Sequence, residues 1–306
     1  MNALNNKGNT LQSLGDLQTK LAQYNEAIQS YTDAIATYNQ ALNLTPDFTY
    51  ILNNKGNTLQ SLGDLQAQLT QQREAIQSYT EAIAVYNQAL TLAPNYTHAL
   101  NNKGNALYSL GDLQTQIDQY KEAIQSYSDA IATHNQALTL APDYTYALNN
   151  KGNALSSLGN LQTQLTQYTE AFQSYTEAIA TYNQALHLAP DNIYTLNSKA
   201  NALYSLADLQ IQLDQHTEVF QFYDQAIAAY DQALNLAPGY TYALNNKGLV
   251  LQNWGKLLLQ LSQKSEAINH LQAALAAFNR SLAIAPGDER VHNLRDELQA
   301  FLDNLD

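Results

Sequence analysis

The sequence predicts an all-α solenoid, six antiparallel helix pairs in tandem closed by one capping helix. Three observations carry this. Every proline (Pro46, Pro94, Pro142, Pro190, Pro238, Pro286) lies 48 residues from the next. Ten of the twelve glycines fall at two fixed places in that interval: Gly8, Gly56, Gly104, Gly152 and Gly248, then Gly15, Gly63, Gly111, Gly159 and Gly255. The last two, Gly239 and Gly287, directly follow a proline. Within an interval the apolar residues step at helical spacing, as in Leu100, Leu107, Leu110, Leu113 and Ile117, then Tyr120, Ile124, Tyr127, Ile131, His134 and Leu138. A fixed period of this length is the mark of a repeat array.

Six copies fill 1–48, 49–96, 97–144, 145–192, 193–240 and 241–288, expected to form a single solenoid domain, with 289–306 as its C-terminal cap. Positions 1 to 48 of the repeat serve below for all copies. Strand signals are missing: no sustained two-residue alternation and no Asn-Gly or Asp-Gly dipeptide. Ala141-Pro142-Asp143-Tyr144-Thr145 links one pair to the next, because Pro142 disfavours helix before it and Asp143 or Thr145 can cap the helix after it.

Composition excludes several function classes. Asn and Gln (32 and 33) make up roughly a fifth of the 306 residues, apolar residues 45% and charged residues 13%, so the chain fills a core yet presents a largely neutral amide surface. Zero cysteines remove disulfides, thiolate zinc, iron–sulfur clusters and thiol catalysis, and fit a reducing compartment. A net charge of −13 repels a nucleic-acid backbone. No run approaches 18 apolar residues, and Met1-Asn2-Ala3-Leu4-Asn5 lacks a signal-peptide pattern. The expectation is a cytoplasmic protein with no membrane and no nucleic-acid partner.

At this level the chain resembles the tetratricopeptide repeat family. The fourth copy carries Leu148, Lys151-Gly152, Leu155, then Ala178, Tyr182 and Pro190 at the family's spacings within each half. Leu replaces the usual Trp, Lys the usual Leu before glycine, and the repeat has 48 residues where the family has 34. The resemblance implies a right-handed superhelix whose first helices line a concave groove for extended peptides or partner helices.

The fourteen extra residues form two heptads, seen in Leu113, Tyr120, Tyr127 and His134. One heptad added to each helix keeps the hairpin flush. The turn then falls near positions 22 to 24, where Thr70, Asp118, Thr166, Asp214 and Ser262 offer capping side chains and Ala22 does not. A rival places the turn at the Gly-Asp of each copy. The mid-helix glycines, replaced by Ala200 and Ala207 in the fifth copy, let a neighbouring helix approach closely. In the tail, Val291, Leu294, Leu298, Phe301, Leu302 and Leu305 make one stripe against a charged outer face, as a solenoid end requires. The first helix has no such cover, so that end is expected to meet preceding residues, a partner or another copy.

Positions 2, 5, 9, 12 and 16 share one face of the first helix. Position 5 is Asn5, Asn53, Asn101, Asn149, Asn197 and Asn245; position 9 is Asn9, Asn57, Asn105, Asn153 and Asn201, broken by Leu249. Position 2 supplies Tyr50, His98, Tyr146, Tyr194 and Tyr242, and position 12 adds Tyr108 and Tyr204. An amide carries donor and acceptor, so an Asn ladder can pair with a bound main chain while tyrosines give contact area. These residues are the candidate peptide or partner-binding site. On that reading, replacing Asn101 and Asn149 by Ala weakens binding without lowering the melting temperature. The family's chaperone-tail clamps use basic groove residues that this face lacks, so a carboxylate clamp is not expected. Lys7, Lys55, Lys103, Lys151, Lys199 and Lys247 are expected to lie over the hairpin seam or pair with acids.

No catalytic site and no cofactor are expected. His98, His134, His187, His216, His270 and His292 occupy unrelated places, and no phosphate loop or nucleophile elbow occurs. Trp254 is read as a packing residue. The leading function is a non-enzymatic protein-interaction scaffold. The alternative is an architectural segment that self-associates through its uncovered first helix.

Overall fold

A computed structural model describes residues 1–215 and 218–305, and every regular element among them is an α-helix. His216 lies outside the described residues. Two compact units divide at Leu161. The first holds α1 (Asn2–Lys20), α2 (Tyr24–Leu44), α3 (Thr49–Gln68), α4 (Gln72–Leu92), α5 (Thr97–Gln116), α6 (Tyr120–Leu140) and most of α7 (Thr145–Gln164). The second holds α8 (Tyr168–Leu188), α9 (Ile193–Gln212), α10 (Val219–Leu236), α11 (Thr241–Gln260), α12 (Lys264–Ile284) and α13 (Glu289–Asp303). Odd-numbered helices up to α11 are the A helices of the copies, even-numbered ones the B helices.

Packing is between neighbours in the chain. In the first unit α1 lies on α2, α3 on α4 and α5 on α6, while α2 and α4 each cover the next A helix. In the second, α9 lies on α10 and α11 on α12, with α8, α10 and α12 covering α9, α11 and α13. This is the solenoid arrangement in which a hairpin buries its apolar face only against the next hairpin.

The hairpin turn falls at positions 21 to 23, so Gly111 and Asp112 lie inside α5 and the rival turn at Gly-Asp does not form. Its construction differs from the expected cap. Ala22, Thr70, Asp118, Thr166, Asp214 and Ser262 all adopt positive φ, between 57° and 64°. Each ends the A helix in a Schellman motif: Gln23 N donates to Gln18 O (2.8 Å) and Ala22 N to Thr19 O (3.0 Å), with the same pair at Gln71 and Thr70. Thr70 Oγ1 donates back to Leu69 O, so it does not cap the helix that follows. The B helices α2, α4, α6, α8 and α12 start from Gln23, Gln71, Gln119, Gln167 and Gln263 with no side-chain cap bond. What the copies share at position 22 is the backbone conformation, which Ala adopts as well as Thr or Asp; the side chains differ, and the Asp118 carboxylate accepts from Tyr120 OH.

The inter-copy linker also departs from expectation. Tyr96 N donates to Ala93 O (3.0 Å) and Tyr240 N to Ala237 O (3.0 Å), closing β-turns with proline second. The N-caps of α3, α5 and α11 are then Phe48, Tyr96 and Tyr240, which make no side-chain cap bond. Thr145 is already the first residue of α7, and Asp143 sits one place too early to cap it. Side-chain capping occurs where the position is polar: Asn192 Oδ1 accepts from Tyr194 N and Thr195 N (both 3.1 Å), and Asp288 Oδ1 from Val291 N.

The glycines permit the hairpin seam. A Cβ on Gly8, Gly56, Gly104 or Gly248 would stand 2.5 Å from the ring of Tyr38, Tyr86, His134 or Phe278, and one on Gly15 2.7 Å from Tyr31. These rings lie flat on bare helix backbone, a contact no larger residue allows without a shift. Alanines complete the seam, with Ala27, Ala34 and Ala41 fully buried in α2.

Candidate functional site

Three polar zippers recur across the hairpins. At positions 38 and 9, Tyr38 OH donates to Asn9 Oδ1 (2.7 Å), Tyr86 to Asn57 (2.6 Å) and Tyr230 to Asn201 (2.5 Å). At 31 and 16, Tyr31 OH donates to Asp16 Oδ1 (2.8 Å), Tyr79 to Asp64 (2.7 Å) and Tyr127 to Asp112 (2.6 Å). At 30 and 18, Ser30, Ser78, Ser126 and Ser174 donate to Gln18, Gln66, Gln114 and Gln162, each at 2.7 Å. Burial raises the Tyr31 and Tyr38 phenols to about 12. Burial likewise pushes the Asp112 carboxyl up, against the hydrogen bonds from Tyr127, Tyr108 and Ser157 that pull it down.

A second amide system runs between copies. Asn54 Nδ2 donates to Asn5 Oδ1 (3.3 Å) and Asn9 Oδ1 (3.1 Å), and Asn102 Nδ2 to Asn53 (3.2 Å) and Asn57 (2.9 Å). Asn150 Nδ2 reaches Asn101 (3.2 Å), and in the second unit Asn246 Nδ2 reaches Asn201 (3.0 Å). Position 6, which sequence reasoning passed over, is therefore the donor that fastens one A helix to the A helix before it. Its signal was present: Asn6, Asn54, Asn102, Asn150 and Asn246 recur almost as faithfully as position 5.

The expected amide ladder thus occupies an inter-copy seam. Asn53, Asn101 and Asn197 are buried, Asn5, Asn149 and Asn245 half-buried, and Asn9, Asn57, Asn105, Asn153 and Asn201 half-buried. The Oδ1 atoms of Asn5, Asn53, Asn101, Asn9, Asn57 and Asn201 are taken by neighbouring side chains. Replacing Asn101 and Asn149 by Ala therefore cannot leave stability untouched, because Asn150 loses an acceptor.

The tyrosines behave otherwise. Tyr50, Tyr146, Tyr194 and Tyr242 are 48%, 70%, 65% and 69% exposed. In the first unit they join position 48 in a ladder of rings: Tyr96 to His98 at 6.2 Å, His98 to Tyr144 at 5.6 Å, Tyr144 to Tyr146 at 6.1 Å. His98 Nδ1 also meets Tyr144 OH at 3.1 Å. In the second unit Tyr194, Tyr240 and Tyr242 repeat the pattern at 6.0 and 5.9 Å. The position-48 rings were not singled out from sequence; the recurrence of Tyr after Pro-x was the available signal. Tyr108 and Tyr204 are half-buried against their neighbours: Tyr108 OH meets Ser157 Oγ (3.4 Å), and Tyr204 OH accepts from Asn253 Nδ2 (2.6 Å), its phenol raised to about 12 chiefly by burial.

The other polar groups fit structural duties. Burial lowers the Lys55 and Lys199 amines, and Lys247 of α11 pairs with Asp231 of the preceding B helix, α10. Trp254 is buried and stacks on His270 at 4.2 Å. Among the described residues no group of three or more His, Asp or Glu could hold a metal ion, and no helix is long and apolar enough to cross a membrane.

Family models described as "TPR repeat" match residues 29–63 and 75–111, and models described as "Tetratricopeptide repeat" match 48–83, 97–129 and 154–191. No curated protein matches the chain. Among solved structures, that of Nro1, a hypoxic regulator of sterol synthesis and nuclear import adaptor, aligns with TM-score 0.63 at 12% identity, covering 92% of this chain and 88% of its own. BtubC (BKLC) from P. vanneervenii aligns with TM-score 0.57 at 16% identity, covering 85% and 91%. A thermophilic TPR protein from Thermus thermophilus aligns with TM-score 0.46 at 17% identity, covering 80% and 98%.

Proposed function

The chain belongs to the tetratricopeptide-repeat family, and from that premise we propose that it is a non-enzymatic protein-interaction scaffold holding an extended segment of a partner on its A-helix faces. The exposed rings at position 2 carry this reading. Tyr146, Tyr194 and Tyr242 are about two-thirds exposed, although a tyrosine ring gains free energy on burial and the fold gives these little of it. A tyrosine has few torsions to freeze on contact, and its hydroxyl keeps a polar handle, so the pair Tyr194 and Tyr242 within the second unit suits a neutral partner chain. The candidate asparagines at positions 5 and 9 contribute the amide edges left over from the inter-copy bonds. Asn105 is the one beside which the usual tyrosine is replaced by His134.

The test uses the intact chain and a phage-displayed library of random dodecapeptides, with the strongest uncharged binder synthesised as the probe. Tyr194→Ser with Tyr242→Ser, both in the second unit, weakens that peptide about tenfold, equivalent to ~1.4 kcal/mol, at unchanged melting temperature. Binding changes little between low and high salt, since no charged pair is used. Unchanged affinity in the double variant overturns the reading.

A further inference from the structure

Where copies join in the first unit, the protein carries an unbroken row of aromatic rings. Tyr96, His98, Tyr144 and Tyr146, alternately from positions 48 and 2, touch in sequence with centroids 6.2, 5.6 and 6.1 Å apart. Each link is edge-to-face, and Tyr96 and Tyr144 stand at 82° and 85° to the His98 ring. His98 and Tyr146 are exposed. Beside Tyr96 an open recess of about 470 Å³ is walled by Thr49, Ala93, Pro94 and Asn95, a size within the ~300–1,000 Å³ of ligand clefts. The second unit has a shorter row, Tyr194, Tyr240 and Tyr242, because Asn192 stands where Tyr96 and Tyr144 stand in earlier copies.

The chemistry of the longer row narrows what can lie on it. Neither the rings nor the recess includes a carboxylate, a lysine or an arginine, so a charged segment gains no ion pair there. Every regular element among the described residues is a helix, so no sheet edge offers acceptors to the N–H groups of an extended chain. What the row does offer is ring surface and hydroxyl donors: the Tyr96 and Tyr146 phenols make no hydrogen bond among the described residues. The complementary chain brings carbonyl acceptors and few N–H donors. Proline is the residue with a backbone acceptor and no backbone donor. Runs of proline also hold the polyproline II conformation before binding, so little chain entropy is lost on an aromatic surface. The strides are comparable: a polyproline II turn is three residues at ~3.1 Å each, and the row advances by one copy in two steps of 6.2 and 5.6 Å.

From this match of donors to acceptors on an uncharged aromatic row, we infer that the first unit docks a proline-rich segment of a partner protein in the polyproline II conformation. Its prolines lie on the rings of Tyr96, His98 and Tyr146, and its carbonyls accept from the phenols. The inference rests on the scaffold reading and gives the partner a backbone class; the tyrosines whose loss tests that reading belong to the second unit.

The probe is a dye-labelled dodecapeptide of four Ala-Pro-Pro repeats, and the control is four Ala-Gly-Gly repeats, equal in length and charge but without a preformed polyproline II helix. In fluorescence anisotropy with the intact chain, the probe should bind saturably and the control at least about tenfold more weakly. His98→Ser with Tyr146→Ser, both at exposed places, should weaken the probe about tenfold at unchanged melting temperature. Tyr96→Phe, which keeps the ring and removes a hydroxyl, should weaken it about threefold. Tyr194→Ser with Tyr242→Ser should leave it bound as before. Equal binding of probe and control overturns the inference, as does probe affinity that survives His98→Ser with Tyr146→Ser or falls only in the second-unit pair. A probe that fails to bind, beside a phage-selected peptide that still depends on Tyr194 and Tyr242, overturns this inference alone and leaves the scaffold reading standing.

Discussion

In the second copy the Tyr86 hydroxyl crosses the hairpin to Asn57; in the sixth, Phe278 and Leu249 occupy the same two places and the pair is apolar. The substitution is paired. It recurs two turns along, where Tyr79 and Asp64 of the second copy become Leu271 and Lys256, and again where Ser78 and Gln66 become His270 and Leu258. A hydrogen bond exchanged whole for an apolar contact, as at Phe278 and Leu249, changes stability little, whereas one buried partner left alone is costly. Copies that changed one partner show this: His134 stands where Tyr38 and Tyr86 stand, and both its ring nitrogens are buried without partners. In the fifth copy, Phe222 replaces the serine that would meet Gln210, whose Oε1 is likewise orphaned.

The largest break in this comparison comes from acid. Burial, then Lys151, lowers His134 from its ordinary 6.5 to about 4. Below the unfolded-state value the unfolded chain takes up a proton that the folded chain refuses, so stability present above pH 6.5 is lost as pH falls towards 4, by about 3 kcal/mol. His134→Tyr should cancel that loss and restore the pair with Asn105; the difference between variant and wild type in urea denaturation at pH 7 and pH 4 isolates it from the carboxylates.

Next is Phe278→Tyr, which sets a buried hydroxyl against Leu249. A loss of about 2 kcal/mol is expected, with most of it recovered in Leu249→Asn/Phe278→Tyr. The mirror experiment is milder. Tyr86→Phe should cost about 1 kcal/mol or less, because Asn57 keeps its bond from Asn102, and Asn57→Leu/Tyr86→Phe should differ from Tyr86→Phe by the further loss of that inter-copy acceptor. Smallest of all, Asp231→Asn breaks the pair with Lys247 on a half-exposed surface and should lower the stability measured in urea by no more than ~0.5 kcal/mol.

Helix pairing, the position of the turn and the bare glycine seams were legible in the sequence, because periodicity and punctuation report local geometry directly. The direction of the amide ladder was not. Positions 5 and 6 are adjacent in sequence and about 100° apart on the helix, and only the stagger between copies decides that position 6 reaches back to positions 5 and 9. The caps misled for a related reason. Thr70, Asp118 and Ser262 are residue types that favour helix starts, yet the backbone there closes the preceding helix, and a left-handed residue leaves no signature when glycine is not used. The tyrosines at position 2 were legible as exposed surface, while their partners at position 48 were hidden in a linker.

The left-handed turn residue recurs at one edge of every hairpin with the same backbone conformation whether it is Ala, Thr, Asp or Ser. In a chain without cysteine, single Cys replacements at exposed positions such as Ala22 and Thr70 become attachment points for a spectroscopic label that leave the hairpin seam untouched. Spaced one repeat apart within a unit, they form a built-in ruler on which the stretching or unzipping of individual hairpins can be read.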